Sequence, residues 1–343
     1  MKDILSMLPE EIAEDFQQKG LPSFRAKQVS GWLSKGVSSF QEMANLPKAL
    51  RDELQNEYEL YRPSILRRQV SAEDGTVKYL LKLKDGNAVE SVLMKYHYGN
   101  TICISTQVGC RQGCAFCASG IGGLVRQMEP SEMLNELVSA EQDSGEKISR
   151  IVLMGTGEPL DNYDNVLRFL KLVSMPGGLN IGARNISLST SGLVDGIRRL
   201  AQEHLQITLS VSLHAPNDDL RRRIMPVARR YPMDKLLSAC GDYFDITGRR
   251  VSYEYIMIRG FNDTPACAKE LASKLTGTGS HVNMIRLNNI EESPLKPSTP
   301  EAVRSFQQLL QASGINATVR RRLGSDIDAA CGQLRKKQIS QSL

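Results

Sequence analysis

No stretch of this sequence is apolar for long enough to span a bilayer, which excludes a membrane-spanning helix. The first residues, MKDILSMLPEE, lack the cationic segment, apolar stretch and small-residue cleavage site of a secretory signal. There is no internal repeat, no low-complexity tract and no obvious coiled-coil pattern. A cytoplasmic, monomeric protein is expected. Cysteine is sparse, at seven in 343 residues. In a reducing compartment these thiols are expected to serve metal binding or catalysis rather than structural disulfides.

What is present is globular in character, 41% apolar and 24% charged. The formal net charge of +5 is modest and by itself only permits an anionic partner. Clustering says more. Arg221–Arg223, Arg229–Arg230, Arg249–Arg250, Arg320–Arg322 and Arg335–Lys337 all lie in the C-terminal half. Arginine is the better fork for phosphate, although such runs also occur on plain helix surfaces.

Residues 1–60 read as three short helices with basic positions, a separate accessory unit that is either RNA-binding-like or a cap on the main domain. Residues 61–97 switch to alternating runs divided by AEDG, KDGN and YGN, which are hairpin signals, and form a short antiparallel β extension. From 98 to 335 strand-like runs (TICISTQV, RIVLMG, NISLSTSG, QITLSVSLHA, RVSYEYIMI, HVNMIRLN, NATVRRR) alternate with helical ones. The pattern predicts an α/β fold with a parallel sheet and outer helices, in six or so units, hence a partial barrel. Residues 336–343 are a basic tail. In such barrels functional residues gather at the C-terminal ends of strands. The cysteine motif, GTGEP, STSG, SLHAP, MIRGFND and RLNN all fall there.

Four cysteines crowd into CISTQVGCRQGCAFC. Cys110, Cys114 and Cys117 form C-x3-C-x2-C, and Cys103 lies seven residues upstream. A four-thiolate zinc site could recruit Cys103, but zinc sites usually come as two separated pairs. Ferredoxin clusters use four cysteines at other spacings. Three thiolates would leave one iron of a [4Fe–4S] cluster without a protein ligand, as a catalytic site requires.

With Phe116 before the last cysteine, this motif resembles the radical S-adenosylmethionine (SAM) superfamily. The resemblance implies a cluster on Cys110, Cys114 and Cys117, whose open iron chelates SAM and splits it to a 5′-deoxyadenosyl radical. It further implies SAM contacts from Gly157 and Glu158 in MGTGEPLDN, Ser189 in LSTSG, Ser212, Leu213 and His214 in SVSLHAP, and Asn288 in MIRLNN. Read singly, each of these residues would more simply bond local backbone.

The C-terminal GSDIDAACGQL, together with CISTQVGC, NIGARNISLSTSG and SLHAPND, is similar to the RlmN/Cfr family of radical SAM RNA methyltransferases, with the RlmN branch favoured. That family implies methylation of adenosine C2 in 23S rRNA and of the adenosine 3′ of the anticodon in tRNA. The (β/α)6 TIM-like barrel fits it. C2 of adenine is not nucleophilic, so the family spends two SAM molecules. Cys331 first becomes methylated, and its methylene radical then adds to the base. Glu90 would remove the ring proton. Cys103 would resolve the adduct, leaving a transient Cys103–Cys331 disulfide. An electron donor of flavodoxin or ferredoxin type is implied as well. Val89 and Val92 suggest a partly apolar setting for Glu90, which otherwise reads as an exposed strand carboxylate. Cys240 and Cys267 read as inert core thiols. Thr156 and RLNNI depart from the family's usual residues. Two alternatives stay open: C8 methylation as in the Cfr branch, and a zinc-stabilised RNA-binding protein without catalysis.

Overall fold

The computed structural model describes residues 1–176, 178–288 and 294–327. The N-terminal unit comprises β1 (Lys2–Asp3), α1 (Pro9–Gln18), α2 (Ser23–Leu33), α3 (Lys48–Glu57) and β2 (Tyr58–Glu59). Pro9 opens α1 where its missing N–H costs nothing, and Glu11 accepts from the Leu8 amide at 2.8 Å. The unit has its own core, with Ile4, Ile12, Phe16, Val29, Phe40 and Tyr58 all fully buried. Two arginines fasten it to the rest of the protein. Arg62 donates to Asn135 at 2.6 Å and to the Val37 carbonyl at 3.1 Å. Arg168 donates to Glu11 at 2.6 Å and to the Ser6 carbonyl at 3.2 Å.

The remaining strands are β3 (Ser64–Val70), β4 (Val77–Lys82), β5 (Ala88–Tyr96), β6 (Gly99–Cys103), β7 (Gln107–Gly109), β8 (Leu124–Gln127), β9 (Ile148–Leu153), β10 (Ile186–Thr190), β11 (Thr208–Ser212), β12 (Ser252–Met257), β13 (His281–Arg286) and β14 (Asn316–Val319). The helices are α4 (Pro130–Ser144), α5 (Tyr163–Ser174), α6 (Val194–Gln202), α7 (Asp218–Ile224), α8 (Met233–Thr247), α9 (Pro265–Leu275) and α10 (Pro300–Ala312). Ten strands form one sheet in the order β14-β13-β12-β11-β10-β9-β6-β5-β4-β3. Strands β6 and β9–β14 run parallel, and β3–β5 continue the sheet antiparallel. Among the described residues this is six β/α units closed by a seventh parallel strand, the partial barrel read from the alternation. The hairpin extension is not a separate sheet: β5 pairs directly with β6.

Alternation along the strands separates two environments. Ile102, Ile151, Leu188, Leu209, Val211, Tyr253, Val282 and Ala317 pack outward against the helices. The opposite face carries Ser189, Ser210, Ser212, Glu254, Asn283 and Thr318, with Ser212, Glu254, Asn283 and Thr318 in one register row. A parallel sheet is normally apolar on both faces. A polar inner face marks a working interior rather than a packed one. No helix among the described residues is long and apolar enough to cross a membrane.

The cysteine loop hangs from the β7–β8 hairpin, whose ladder has a register shift between Val108 and Gly109. Gly109 has φ +82°, and a Cβ there would lie 2.1 Å from the Gly123 carbonyl oxygen. No side chain fits this crossing. Gly109→Ala is expected to cost about 1–3 kcal/mol in strain alone and to lower bound iron. Urea unfolding and iron per chain measure both, and wild-type values for both would contradict the crossing.

Candidate active site

The cysteine loop runs from the end of β7 to the start of β8. The Cys110 amide donates to the Gly123 carbonyl at 3.0 Å, and the Ala115 amide to the Ile224 carbonyl at 2.9 Å. Cys110 is buried, whereas Cys114 and Cys117 are half-buried. Burial pushes the Cys110 thiol up to about 11. Burial, then the neighbouring Cys117, Cys110 and Glu158, push Cys114 further, while Arg221 pulls it the other way. Three thiols that feel one another's charge favour a bound cation, which deprotonates them on binding. Among the described residues no three His, Cys, Asp or Glu side chains converge on one ion position. Three neighbouring thiols on one loop can each ligate one iron of a multi-iron cluster. The loop therefore fits a [4Fe–4S] cluster with one open iron.

The strand ends beside this loop are interlocked. Gly157 has φ +116°, and a Cβ there would meet Gln107 Cβ at 2.7 Å, so the second strand's exit packs directly on the first's. Glu158 is buried. Its carboxylate accepts from the Ser191 amide at 2.6 Å and from the Leu160 amide at 3.1 Å. Gln107 accepts from the Glu158 amide at 2.8 Å. Each Glu158 oxygen already holds a main-chain donor and retains capacity for another. Thr156 fits without disturbance, its carbonyl accepting from the Thr106 amide at 2.8 Å.

Ser189 and Ser212 lie half-buried on the inner face, and Leu213 is buried behind them. His214 stands at φ +58° with its ring edge-on to Phe116, at 4.6 Å and 82°. Its Nδ1 accepts from the Ile256 amide at 3.0 Å, so the proton of the neutral ring sits on Nε2. Burial, and then the Arg221 charge, lower its pKa to about 3. Asn262 donates to the His214 carbonyl at 2.8 Å and to the Ile256 carbonyl at 2.6 Å. Asn288 is exposed just past β13. Deeper in the barrel, Glu254 accepts from Asn283 at 3.0 and 3.3 Å, and burial pushes its carboxyl up to about 7.

Glu90 and Cys103 approach from the antiparallel side. Lys78, Val92, Cys103 and Val152 form one register row, with Leu80 and Glu90 paired beside it. Cys103 is buried with Val92 and Met94, and Met154 and Leu323 pack on this group. Glu90 is not an exposed carboxylate, and its setting is not simply apolar. It is buried in an ion pair with the equally buried Lys78 at 2.9 Å. Its carbonyl accepts from the Ser105 hydroxyl at 2.8 Å. The Ser105 amide donates to Glu136 at 3.0 and 3.1 Å, a carboxyl that burial raises well above its ordinary range.

Cys331 lies outside the described residues, but the chain leading to it is placed. After β14, Leu323 packs on the Cys103 group. The Gly324 amide then donates to Asp74 at 2.8 Å, and Asp326 accepts from the Ser71 hydroxyl at 2.6 Å and the Ala72 amide at 2.8 Å. This strap joins the last strand of the sheet to its first hairpin. Sequence reasoning missed Lys78, Gln107, Arg221 and Asn262. Lys78 lies in the strand-like run TVKYLLKLK, which by itself says nothing of a partner for that lysine.

Residues 104–268 match the family model of the radical SAM superfamily, and residues 2–60 that of the ribosomal RNA large subunit methyltransferase N-terminal domain. The chain is 52% identical over 342 residues to a probable dual-specificity RNA methyltransferase RlmN of Lachnoclostridium phytofermentans, covering 99% of this chain and 96% of that one. It is 48% identical to the protein of the same description in Clostridium tetani, covering 100% and 98%. A crystal structure of a radical SAM methyltransferase from Sphaerobacter thermophilus matches with a TM-score of 0.93 at 42% identity, over 97% of this chain and 99% of that one.

Two buried groups give opposite pH dependences. His214 stays neutral in the fold down to about pH 3 but takes a proton near its ordinary 6.5 when unfolded, so acidification below 6.5 favours unfolding. Glu254 keeps its proton in the fold up to about pH 7 but loses it near its ordinary 4.5 when unfolded. Its contribution is therefore full below 4.5 and lost as pH rises through 7. Between 4.5 and 6.5 the two slopes oppose. Glu254→Gln is expected to unmask the histidine, with stability falling on acidification by up to about 1.4 kcal/mol per pH unit relative to the parent. Urea unfolding at three pH values across this window tests it, and identical slopes would refute the assignment.

Proposed function

The chain belongs to the RlmN family of radical SAM RNA methyltransferases, and on that premise we propose that it methylates C2 of an adenosine in 23S rRNA and of the adenosine 3′ of the anticodon in tRNA. Its cofactors are a [4Fe–4S] cluster and SAM. Cys110, Cys114 and Cys117 would hold the cluster. The backbone at Gly157 and Glu158, with Ser189, Ser212, Leu213, His214 and Asn288, would hold SAM. When bound, these groups supply a methyl cation equivalent and a 5′-deoxyadenosyl radical.

The observation that carries the reading is the strap. Leu323 touches the group around Cys103, and Cys331 follows only eight residues later. Gly324 and Asp326 are held on the first hairpin, so the five residues after Asp326, at roughly 3.3–3.6 Å each, are what would carry Cys331 toward Cys103. The Cys331 thiolate accepts the methyl group, because thiolate is the strong nucleophile of the site. Once the 5′-deoxyadenosyl radical has taken one hydrogen atom from that methyl group, the carbon radical left on Cys331 would add to C2 of an adenine. RNA must present that adenine unstacked, since a base inside a helix cannot enter a barrel. The adduct's surplus electron would return to the cluster. Glu90 takes the C2 proton, held in place by Lys78. The Cys103 thiolate attacks the Cys331 sulfur and breaks its bond to the methylene carbon, which keeps the electron pair and takes a proton to become the methyl group of the released RNA, leaving a disulfide for reduction. A buried, apolar setting keeps Cys103 from solvent oxidants until the adduct forms. The protein would act in the cytoplasm as a monomer, fed electrons by a flavodoxin- or ferredoxin-type donor. Its arginine clusters and N-terminal helices would grip RNA phosphates.

Nucleoside mass spectrometry of RNA treated in vitro should show 2-methyladenosine. 8-Methyladenosine in its place would overturn the regiochemistry. Cys331→Ala should abolish methyl transfer while keeping its iron. Cys103→Ala should also keep its iron but accumulate a covalent protein–RNA adduct, visible as a shifted band. Iron loss in the Cys103 variant would make that residue a ligand instead.

A further inference from the structure

Arg221 heads the fully buried side chains by volume, with no exposure at all. Its Nε donates to the Leu213 carbonyl at 3.2 Å, and its Nη1 to the Tyr231 carbonyl at 3.4 Å. Its Nη2 donates to the carbonyls of Ser191 at 2.7 Å and Ser212 at 3.2 Å. Three of these four acceptors belong to the exits of β10 and β11, the segments carrying Ser189, Ser212 and His214. Gly192, at φ +103°, leaves the room: a Cβ there would lie 3.0 Å from Nη2.

Among the described residues none of these bonds goes to a carboxylate. Carbonyl dipoles satisfy the N–H groups but leave the unit charge uncancelled, and an uncompensated buried charge is expensive. A surface role is excluded by burial, and a pure staple could use a neutral donor. Arg221 lies on α7, whose Ile224 carbonyl accepts from the Ala115 amide inside the cysteine loop at 2.9 Å, while its own N–H groups bond the strand end that carries His214, so the helix bearing the guanidinium joins the two. The nearest carboxylate to influence it, Asp218, is partly exposed on the same short helix. What would cancel a cation here is the negative charge that three thiolates bring when they bind iron.

We propose that Arg221 is a positioning residue of the cluster site, whose buried charge offsets the thiolate-bound cluster and raises its one-electron reduction potential while its N–H groups fix the SAM-binding strand ends. The proposal rests on the reading of Cys110, Cys114 and Cys117 as cluster ligands. A cation beside a redox centre favours the state with one more electron. Removing it must make reduction harder.

The test uses anaerobically reconstituted full-length protein, with iron and sulfide counted first. Absence of both from the parent would sink the cluster reading itself, whatever Arg221 does. The potential is then read by electron paramagnetic resonance during a dithionite titration. Arg221→Met that loads full iron should be harder to reduce by at least tenfold in the equilibrium constant, about 59 mV for one electron. Arg221→Lys should stay within threefold of the parent. A methionine variant at the parental potential, or a lysine variant shifted as far as methionine, overturns the proposal. If the methionine variant holds no iron, its apoprotein melt decides. A melt matching the parental apoprotein supports a charge needed to hold the cluster. A collapsed melt makes Arg221 a structural staple and refutes the role.

Discussion

Asp326 accepts hydrogen bonds from Ser71 and Ala72, groups some 255 residues away in sequence. That contact ties the segment after the last strand to the first hairpin of the sheet. An open sheet of ten strands has two distant ends, and the chain after β14 would otherwise leave from the end opposite Glu90. The strap carries it across, laying Leu323 on the Cys103 group before docking on the β3–β4 turn. Each bond is ordinary, worth about 0.5–1.5 kcal/mol net, but together they decide which residues can meet.

The second constraint is the polarity of the barrel's inner face. Outward residues supply a continuous apolar core with the helices. Inward ones hold serines, Glu254 and Asn283, whose hydrogen-bonding capacity must be met by one another or by a ligand. Around this interior, buried ionisable groups are each restrained differently. Glu90 is paired with Lys78, Glu136 is tied to an amide, His214 is kept neutral, and Arg221 is wrapped in carbonyls. Such a concentration of restrained ionisable groups is characteristic of functional sites rather than of packed cores.

Much of the architecture was legible because it rests on periodicity. Strand and helix runs alternate at the expected lengths, and apolar residues mark the outer face of each strand. The cysteine loop was legible because a three-thiol spacing is chemically specific. Less could be read where a residue's neighbours come from other strands. Glu90 looked like an exposed carboxylate until β4 set Lys78 diagonally beside it. Arg221 looked like part of a basic surface run, yet Arg222 and Arg223 are exposed while Arg221 has no exposure. Helical geometry turns adjacent arginines to opposite sides, and only packing says which side is the core.

The sequence by itself determined the kinds of chemistry available: thiols in a cluster-forming spacing, glycines at tight crossings, and strand ends rich in hydrogen-bonding groups. These are local properties, written in residue type and short-range order. The tertiary structure alone decided which of them act together. Leu323 packs on the Cys103 group, Lys78 pairs with Glu90, and α7, which carries Arg221, touches the cysteine loop because sheet register and the closing strap place these segments together. Register and closure follow from summed burial and hydrogen bonding over the whole sheet, which no short stretch of sequence contains.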